Sequence, residues 1–172
     1  MGYRLNESAQ LHNLGNVARA EKNFARAREL LESSIEMARE LGFKPREAGT
    51  LYSLGRIALE EGSFDDSIRY FEEALRNNKG SGGLLAIAKC LEGIAAASVG
   101  SGQYELAAIL SGTCSSWRNE MSTSLDPTSP DALMIALDWL GREMGDDAYL
   151  KAWNKAKGMT LSTAVEFALR HK

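Results

Sequence analysis

Small and apolar residues recur at a fixed spacing of 40 positions along the first 120 residues of the chain. Each copy begins with the order L-x-x-L-G-x-x-A, whose offsets i, i+3, i+4 and i+7 lie on one face of a helix. An aromatic residue follows six positions later and starts a second helical pattern. The eight matching columns are Leu11/Leu51/Leu91, Leu14/Leu54/Ile94, Gly15/Gly55/Ala95, Ala18/Ala58/Ser98, Phe24/Phe64/Tyr104, Ala27/Ser67/Ala107, Leu31/Phe71/Ser111 and Ser34/Ala74/Cys114.

Each copy is therefore predicted to be a helix hairpin. Short polar turns precede the aromatic residues, and Asn23 and Ser63 are suited to N-cap the second helices of their copies. The small residues allow the two helix backbones to approach closely. We expect three hairpins, at about 7–42, 47–79 and 84–120, joined by loops that include Pro45 and the Gly80-Ser81-Gly82-Gly83 connector.

The last fifty residues predict a different arrangement. Residues 121–130 are rich in Ser, Thr and Pro and predict a loop. Residues 131–172 predict about three further helices: one from Ser129-Pro130 to Gly145, one carrying Tyr149 and Trp153, and one N-capped by Thr160. A helical solenoid needs its open end covered, so we expect these helices to form a cap.

The order of Leu, Gly, Ala, aromatic, Ala and Ala positions resembles the tetratricopeptide repeat family, although the period is longer than is usual for that family. This resemblance implies an all-α fold, a right-handed superhelical solenoid of three hairpins with C-terminal capping helices. Residues 84–169 also resemble the C-terminal end of large bacterial signal-transduction ATPases, which include LuxR-type transcription regulators. That second resemblance implies the sensor or interaction arm of such a regulator.

Composition supports the helical prediction and narrows the choice of partners. The chain has 23 Ala and 22 Leu against 16 β-branched residues, and its net charge is −3 without a basic cluster. No nucleic-acid binding is therefore expected. Charged residues interrupt the apolar runs, and the N-terminus lacks the apolar core of a signal peptide. We expect a cytoplasmic protein that does not bind a membrane.

The sequence contains few residues that could support catalysis or bind a metal. The two histidines, His12 and His171, form no constellation with a nucleophile, and no His or Cys pair has the spacing of metal ligands. Cys90 and Cys114 lie among small apolar residues and are interpreted as reduced packing residues. We therefore expect no enzymatic activity, no metal and no cofactor.

The remaining candidate is a binding surface. In tetratricopeptide arrays the first helices of successive hairpins line a concave groove, and the resemblance implies that another protein or a peptide binds there. Arg19, Tyr52 and Arg56 are favoured as contacts because Arg and Tyr often dominate interface energies. The groove residues given by the repeat register are His12, Asn16, Arg19, Tyr52, Arg56, Leu59, Lys89 and Glu92.

Two alternatives stay open at this point. The chain is also compatible with a small-molecule (inducer) sensing domain of such a regulator, and with a homo-oligomer formed through exposed repeat edges. Asn16 fits one position of the family's clamp for acidic chaperone tails, but Tyr52 and Arg56 do not complete that clamp. A chaperone partner is therefore not predicted.

Overall fold

The computed structural model describes residues 2–78, 83–121 and 140–170. It divides into two compact units, Met1–Gly82 and Gly83–Lys172. The described residues are helical with short connecting turns and contain no β-strand, which confirms the all-α prediction.

The first unit consists of two helix hairpins. α1 packs against α2 and α3 packs against α4, while α2 and α3 also contact one another. This succession of hairpins is the arrangement expected of a tetratricopeptide-type helical repeat. The four helices are α1 (Gly2–Ala20), α2 (Phe24–Glu40), α3 (Lys44–Glu60) and α4 (Phe64–Asn78).

Glycine at one repeated position allows each of these hairpins to close. A Cβ atom added to Gly15 would lie 2.7 Å from Cγ of Leu31, and one added to Gly55 would lie 2.9 Å from Cε1 of Phe71. Leu31 and Phe71 are fully buried. The glycine columns therefore mark the points where the second helix of each hairpin packs onto the backbone of the first.

The turns inside the hairpins repeat as faithfully as the helices. Lys22, Gly62 and Gly102 have φ angles of 61°, 76° and 78°, so the left-handed backbone conformation recurs with the period of the sequence. The predicted cap at Asn23 is confirmed, because its side chain accepts a hydrogen bond from the backbone N–H of Arg26 at 3.2 Å.

Two sequence expectations for the first unit differ from the structure, and one repeated residue is unexpectedly exposed. α1 starts at Gly2, before the predicted start of the first hairpin. Pro45 lies in the first turn of α3 and not in the preceding loop. Backbone N–H groups in the first turn of a helix have no acceptor within the helix, so a proline there loses no hydrogen bond. Leu14, although part of a repeated apolar column, is 55% exposed.

The second unit contains the third hairpin together with the C-terminal helices. α6 packs against α5 and α7, and α8 packs against α5 and α6. Residues 140–144 form a further helical segment before α7. The helices of this unit are α5 (Leu84–Gly100), α6 (Tyr104–Glu120), α7 (Asp146–Ala156) and α8 (Leu161–Arg170).

The sequence grouped the third hairpin with the first two, whereas the structure places it in one compact unit with α7 and α8. Close packing explains this grouping, since a Cβ atom on Gly112 would lie 2.8 Å from Cβ of Ala156 in α7. The predicted cap of α8 is confirmed by the bond from the Thr163 N–H to Oγ1 of Thr160 at 3.2 Å.

Some of the predicted connections cannot be compared with the structure. Of the predicted loop 121–130, only Met121 is described, as the C-cap of α6. Residues 122–130 and the predicted helix that follows, up to residue 139, lie outside the described residues. The same holds for residues 79–82, which include most of the glycine-rich connector, and for His171.

Candidate functional site

In the first unit, the predicted groove residues lie on α1 and α3. The two helices meet at His12, whose Nδ1 is 3.2 Å from Oγ1 of Thr50. On α1, Nδ2 of Asn16 is 2.9 Å from Nε2 of His12. The structure therefore brings His12 and Asn16 together and links them to α3.

Behind His12, a chain of hydroxyl groups crosses the interior of the unit. Oγ of Ser8 donates to the Ser34 carbonyl at 3.0 Å, and Oγ of Ser34 donates to the Ser8 carbonyl at 2.8 Å. Oγ of Ser34 is also 3.5 Å from Oγ1 of Thr50. All three hydroxyl residues are fully buried. Sequence reasoning missed Ser8 and Thr50, because their positions relative to His12 form no recognisable motif.

These contacts set the protonation state of His12. The amide nitrogen of Asn16 can only donate, so Nε2 of His12 accepts and its Nδ1–H donates to Thr50. Burial, together with the positive charge of Arg46, lowers the pKa of His12 from 6.5 to about 4. At neutral pH the side chain is thus an uncharged structural element of the surface.

This lowered pKa predicts a pH dependence of stability. The unfolded chain takes up the His12 proton near pH 6.5 and the folded chain only near pH 4, so stability is retained above pH 6.5 and lost as pH falls towards 4. Relative to a His12→Gln variant, we expect the wild type to lose about 1–2 kcal/mol of unfolding free energy across this range, a discounted value because the ring is only half-buried. Urea denaturation at several pH values measures the difference, and parallel profiles would contradict it.

Arg19 is held by an ion pair and is not a free groove cation. Its guanidinium bonds to Oε1 of Glu60, and Nζ of Lys22 lies 2.6 Å from Oε2 of the same carboxylate. Burial alone would raise the pKa of Glu60, but the hydrogen bonds from Lys22 and Arg19 outweigh it and lower that pKa. Arg19 therefore helps to join α1 to α3.

Tyr52 and Arg56 are one helical turn apart on α3, and both are half-buried, as is Leu59 on the same helix. The Tyr52 ring lies 5.5 Å from the Phe71 ring at an interplanar angle of 52°, which fixes it against the hairpin. No ion pair or hydrogen bond to the Arg56 side chain occurs within the described parts of the chain. Also on α3, the Nε of Arg46 is buried without a hydrogen-bond acceptor among those residues.

In the second unit the structure corrects the expectation for Glu92. Its side chain is buried, and its carboxylate accepts bonds from Nε of Arg118 at 2.5 Å and from Nη2 at 2.7 Å. Glu92 therefore joins α5 to α6 and does not line an open groove. Arg118 was not among the predicted residues. Lys89 lies on the same helix as Glu92, is half-buried and has an interaction partner.

The second unit also carries an open depression beside α7. Its volume is about 410 Å³. The residues that line it are Glu105, Met144, Ala148, Lys151, Ala152 and Lys155. Its apolar and charged side chains are the types of residue that a small-molecule binding site requires.

Cysteine and metal chemistry add no site in the described residues. Cys90 and Cys114 are buried free thiols, and burial raises the pKa of Cys90 to about 12 and that of Cys114 as well. Both thiols are protonated at neutral pH, as suits packing residues. No group of three or more His, Cys, Asp or Glu side chains in the described part of the chain is arranged to hold a metal ion.

One comparison with known proteins supports a repeat family for the first unit. Residues 7–80 match the family model of the tetratricopeptide repeat, a range that includes most of α1 and all of α2, α3 and α4. This match supports a tetratricopeptide repeat protein. Repeats of this family generally mediate protein–protein interaction, and such all-helical scaffolds are typically non-catalytic. No curated protein matches the chain, and neither does any solved structure. Among the helices described, none has both the length and the apolar character to cross a membrane.

Proposed function

We propose that the chain is a noncatalytic scaffold that binds a peptide or a segment of another protein across α1 and α3 of the first unit. The observation that carries this proposal is Arg56, a half-buried guanidinium beside Tyr52 with no acidic partner in the described residues. On α1, Asn16 occupies the repeat position that corresponds to Arg56. An Arg and a Tyr of this kind are the residue types most often dominant in interfaces.

The structure changes the weight given to the predicted groove residues. The side chains of His12 and Arg19 are occupied by Thr50, Asn16 and Glu60, so in this proposal they hold the two helices in place. Tyr52 and Arg56, two half-buried side chains on α3, then supply the contacts to the partner. The positive charges that α3 carries at positions 46 and 56 favour a partner segment with carboxylates.

The regulator role is the finer part of the proposal. The resemblance of residues 84–169 to the C-terminal end of bacterial signal-transduction ATPases supports an interaction arm in a signalling or transcription regulator. In this role the chain binds another protein and not nucleic acid, in agreement with the net charge of −3 of its 172 residues.

The test is a charge reversal at Arg56 with a matched control. A peptide selected by display against the intact chain is titrated into Arg56→Glu and into Arg26→Glu, an exposed position on α2 with the same change of charge. We expect Arg56→Glu to weaken binding of the peptide at least about tenfold, because a central interface arginine contributes more than about 1.4 kcal/mol to the binding free energy. Arg26→Glu should bind like the wild type.

Equal affinities of the two variants would contradict the proposed surface.

The second candidate function is a small-molecule sensor that uses the depression beside α7. It would be favoured if the two variants bound equally and a metabolite stabilised the protein in a thermal-shift screen. A ligand at a hundred times its dissociation constant adds roughly 2.7 kcal/mol to the free energy of unfolding, which such a screen detects.

A further inference from the structure

One face of α3 is covered by α2, and this face has an apolar centre with an acidic residue at each end. Leu54 and Ile57 are 2% and 0% exposed and form a buried cluster with Ala27 and Leu31 of α2. This apolar centre is flanked by ion pairs at both ends. Arg39 of α2 bonds to Glu47 of α3 with Nε 3.1 Å from Oε1, and Arg28 of α2 bonds to Glu61 at the C-terminus of α3.

The same four positions recur one repeat period earlier, three of them on α1 and one directly after its last residue. Leu14 stands for Leu54, Val17 for Ile57, Glu7 for Glu47 and Glu21 for Glu61. On α1, however, Leu14 and Val17 are 55% and 54% exposed. Glu7 and Glu21 are exposed as well, and the ion pairs of the described residues include neither of them.

These four side chains form a single stripe, called here the outer face of α1. At 100° per residue, Glu7 and Leu14 are two turns apart and lie almost in line, with Val17 beside Leu14. Glu21 follows Leu14 by the same spacing just after the end of α1, where its N–H still donates to the Val17 carbonyl at 3.0 Å. His12 and Asn16 project roughly opposite to this stripe. The outer face is therefore separate from the surface proposed above for peptide binding.

We propose that the outer face of α1 docks a helix with the chemistry of α2, supplied by a partner other than a second copy of this chain. Such a helix carries two arginines on one side, spaced as Arg28 and Arg39 are, with small residues and leucines between them as in α2. It runs antiparallel to α1. Its later arginine pairs with Glu7 and its earlier arginine with Glu21, as the two α2 arginines pair with their partners on α3.

A second copy does not fit this description. The α2 helix of another copy is already packed against its own α3. In α4, which holds the corresponding place in the second hairpin, the residue that replaces Arg28 is Ile68, so one of the two charges is missing. The partner is therefore a helix of another protein that carries both charges.

The proposal is tested with a synthetic peptide that copies residues 23–41, labelled with a fluorophore and titrated into the full chain. We expect saturable binding that weakens at least tenfold in the Glu7→Lys/Glu21→Lys variant. The native α2 site is unchanged in that variant, so exchange with the protein's own α2 would not produce this loss. A peptide in which Arg28 and Arg39 are replaced by glutamate should restore binding to the variant.

The matched control is Glu32→Lys/Glu36→Lys, which makes the same change of net charge at two exposed positions on α2. It should bind the original peptide like the wild type. Equal loss in both variants would overturn the proposal, since net charge alone would then explain the effect. A concentration-dependent dimer in light scattering that is abolished by Leu14→Lys would also overturn it, because a second copy would then cover the outer face.

A tethered version keeps the test decisive if the isolated peptide is too weakly helical to bind. Residues 1–43 are joined directly to Arg4 of the chain, so that a duplicate hairpin precedes α1 by one repeat period. In this longer chain, Glu7 and Glu21 of the original α1 face the α2 helix of the duplicate hairpin. We expect the change of both residues to lysine to lower the free energy of unfolding more in the longer chain than in the original chain. Equal destabilisation of both chains would overturn the proposal.

Discussion

Replacement of Arg118 by methionine is expected to lower the free energy of unfolding by about 3–5 kcal/mol, because it leaves the Glu92 carboxylate buried without its counter-charge. The guanidinium is held by Nε and Nη2 at 2.5 and 2.7 Å from the two carboxylate oxygens. The side chains of Arg118 and Glu92 are 6% and 9% exposed, so the Glu92 carboxylate has little contact with bulk water. Urea denaturation of the variant and the wild type measures the change.

A double variant separates the pair from its surroundings. Replacing both residues by apolar side chains, as in Glu92→Leu/Arg118→Met, removes the buried charge and should recover most of the lost stability. Arg170→Met removes an exposed i, i+4 pair in α8 and serves as the control, with a change below about 0.5 kcal/mol. A loss of less than about 1 kcal/mol in Arg118→Met would show that the ion pair is not the main link between α5 and α6.

Substitution of Gly55 by valine is expected to destabilise the first unit by about 3 kcal/mol, at the upper end of overpacking effects. The new Cβ atom would lie 2.9 to 3.1 Å from three carbons of the Phe71 ring. That ring is fully buried and packs against Tyr52, so it cannot move aside without opening the hairpin. Urea denaturation, followed by helix content, reports the loss.

Gly49→Val is the matched control on the same helix. The nearest atom to a Cβ at Gly49 is Cε1 of His12 at 3.9 Å, an ordinary contact distance. We expect this variant to change stability by less than about 1 kcal/mol, because valine favours the helix slightly more than glycine does. If both valine variants were equally unstable, close packing against Phe71 would not explain the effect of the substitution at Gly55.

The hairpins could be predicted from the sequence because their packing is local and repeated. Gly15 and Gly55 stand at the same place in each copy, and each contacts a residue 16 positions later. The turns follow the same rule, since the left-handed residues Lys22, Gly62 and Gly102 recur with the period of the helices. Periodic sequence information is enough wherever the neighbour of a residue lies at a constant offset.

The candidate site was harder to predict because its contacts do not repeat. The partner of Glu92 is Arg118, but the corresponding residues one period earlier are Tyr52 and Asn78, so no column reveals the ion pair. The contact made by His12 joins two hairpins and also has no periodic signature. The repeat register placed these residues on helices correctly, but it could not tell which side chains bond within the protein.

Exposure also does not follow from the repeat. Leu14 and Leu54 stand in the same column, but Leu14 is 55% exposed and Leu54 is 2% exposed, because burial depends on the neighbouring helices as well as on the residue itself. The peptide surface and the outer face of α1 both depend on this distinction between a repeated pattern and an actual contact. They occupy different sides of α1 and are tested by different charge reversals.

The measurement that tests the proposed function most directly is the affinity of the display-selected peptide for Arg56→Glu compared with Arg26→Glu. A loss of at least about tenfold in Arg56→Glu alone is the result expected if α1 and α3 present the binding surface. Equal affinity of the two variants and the wild type would contradict it.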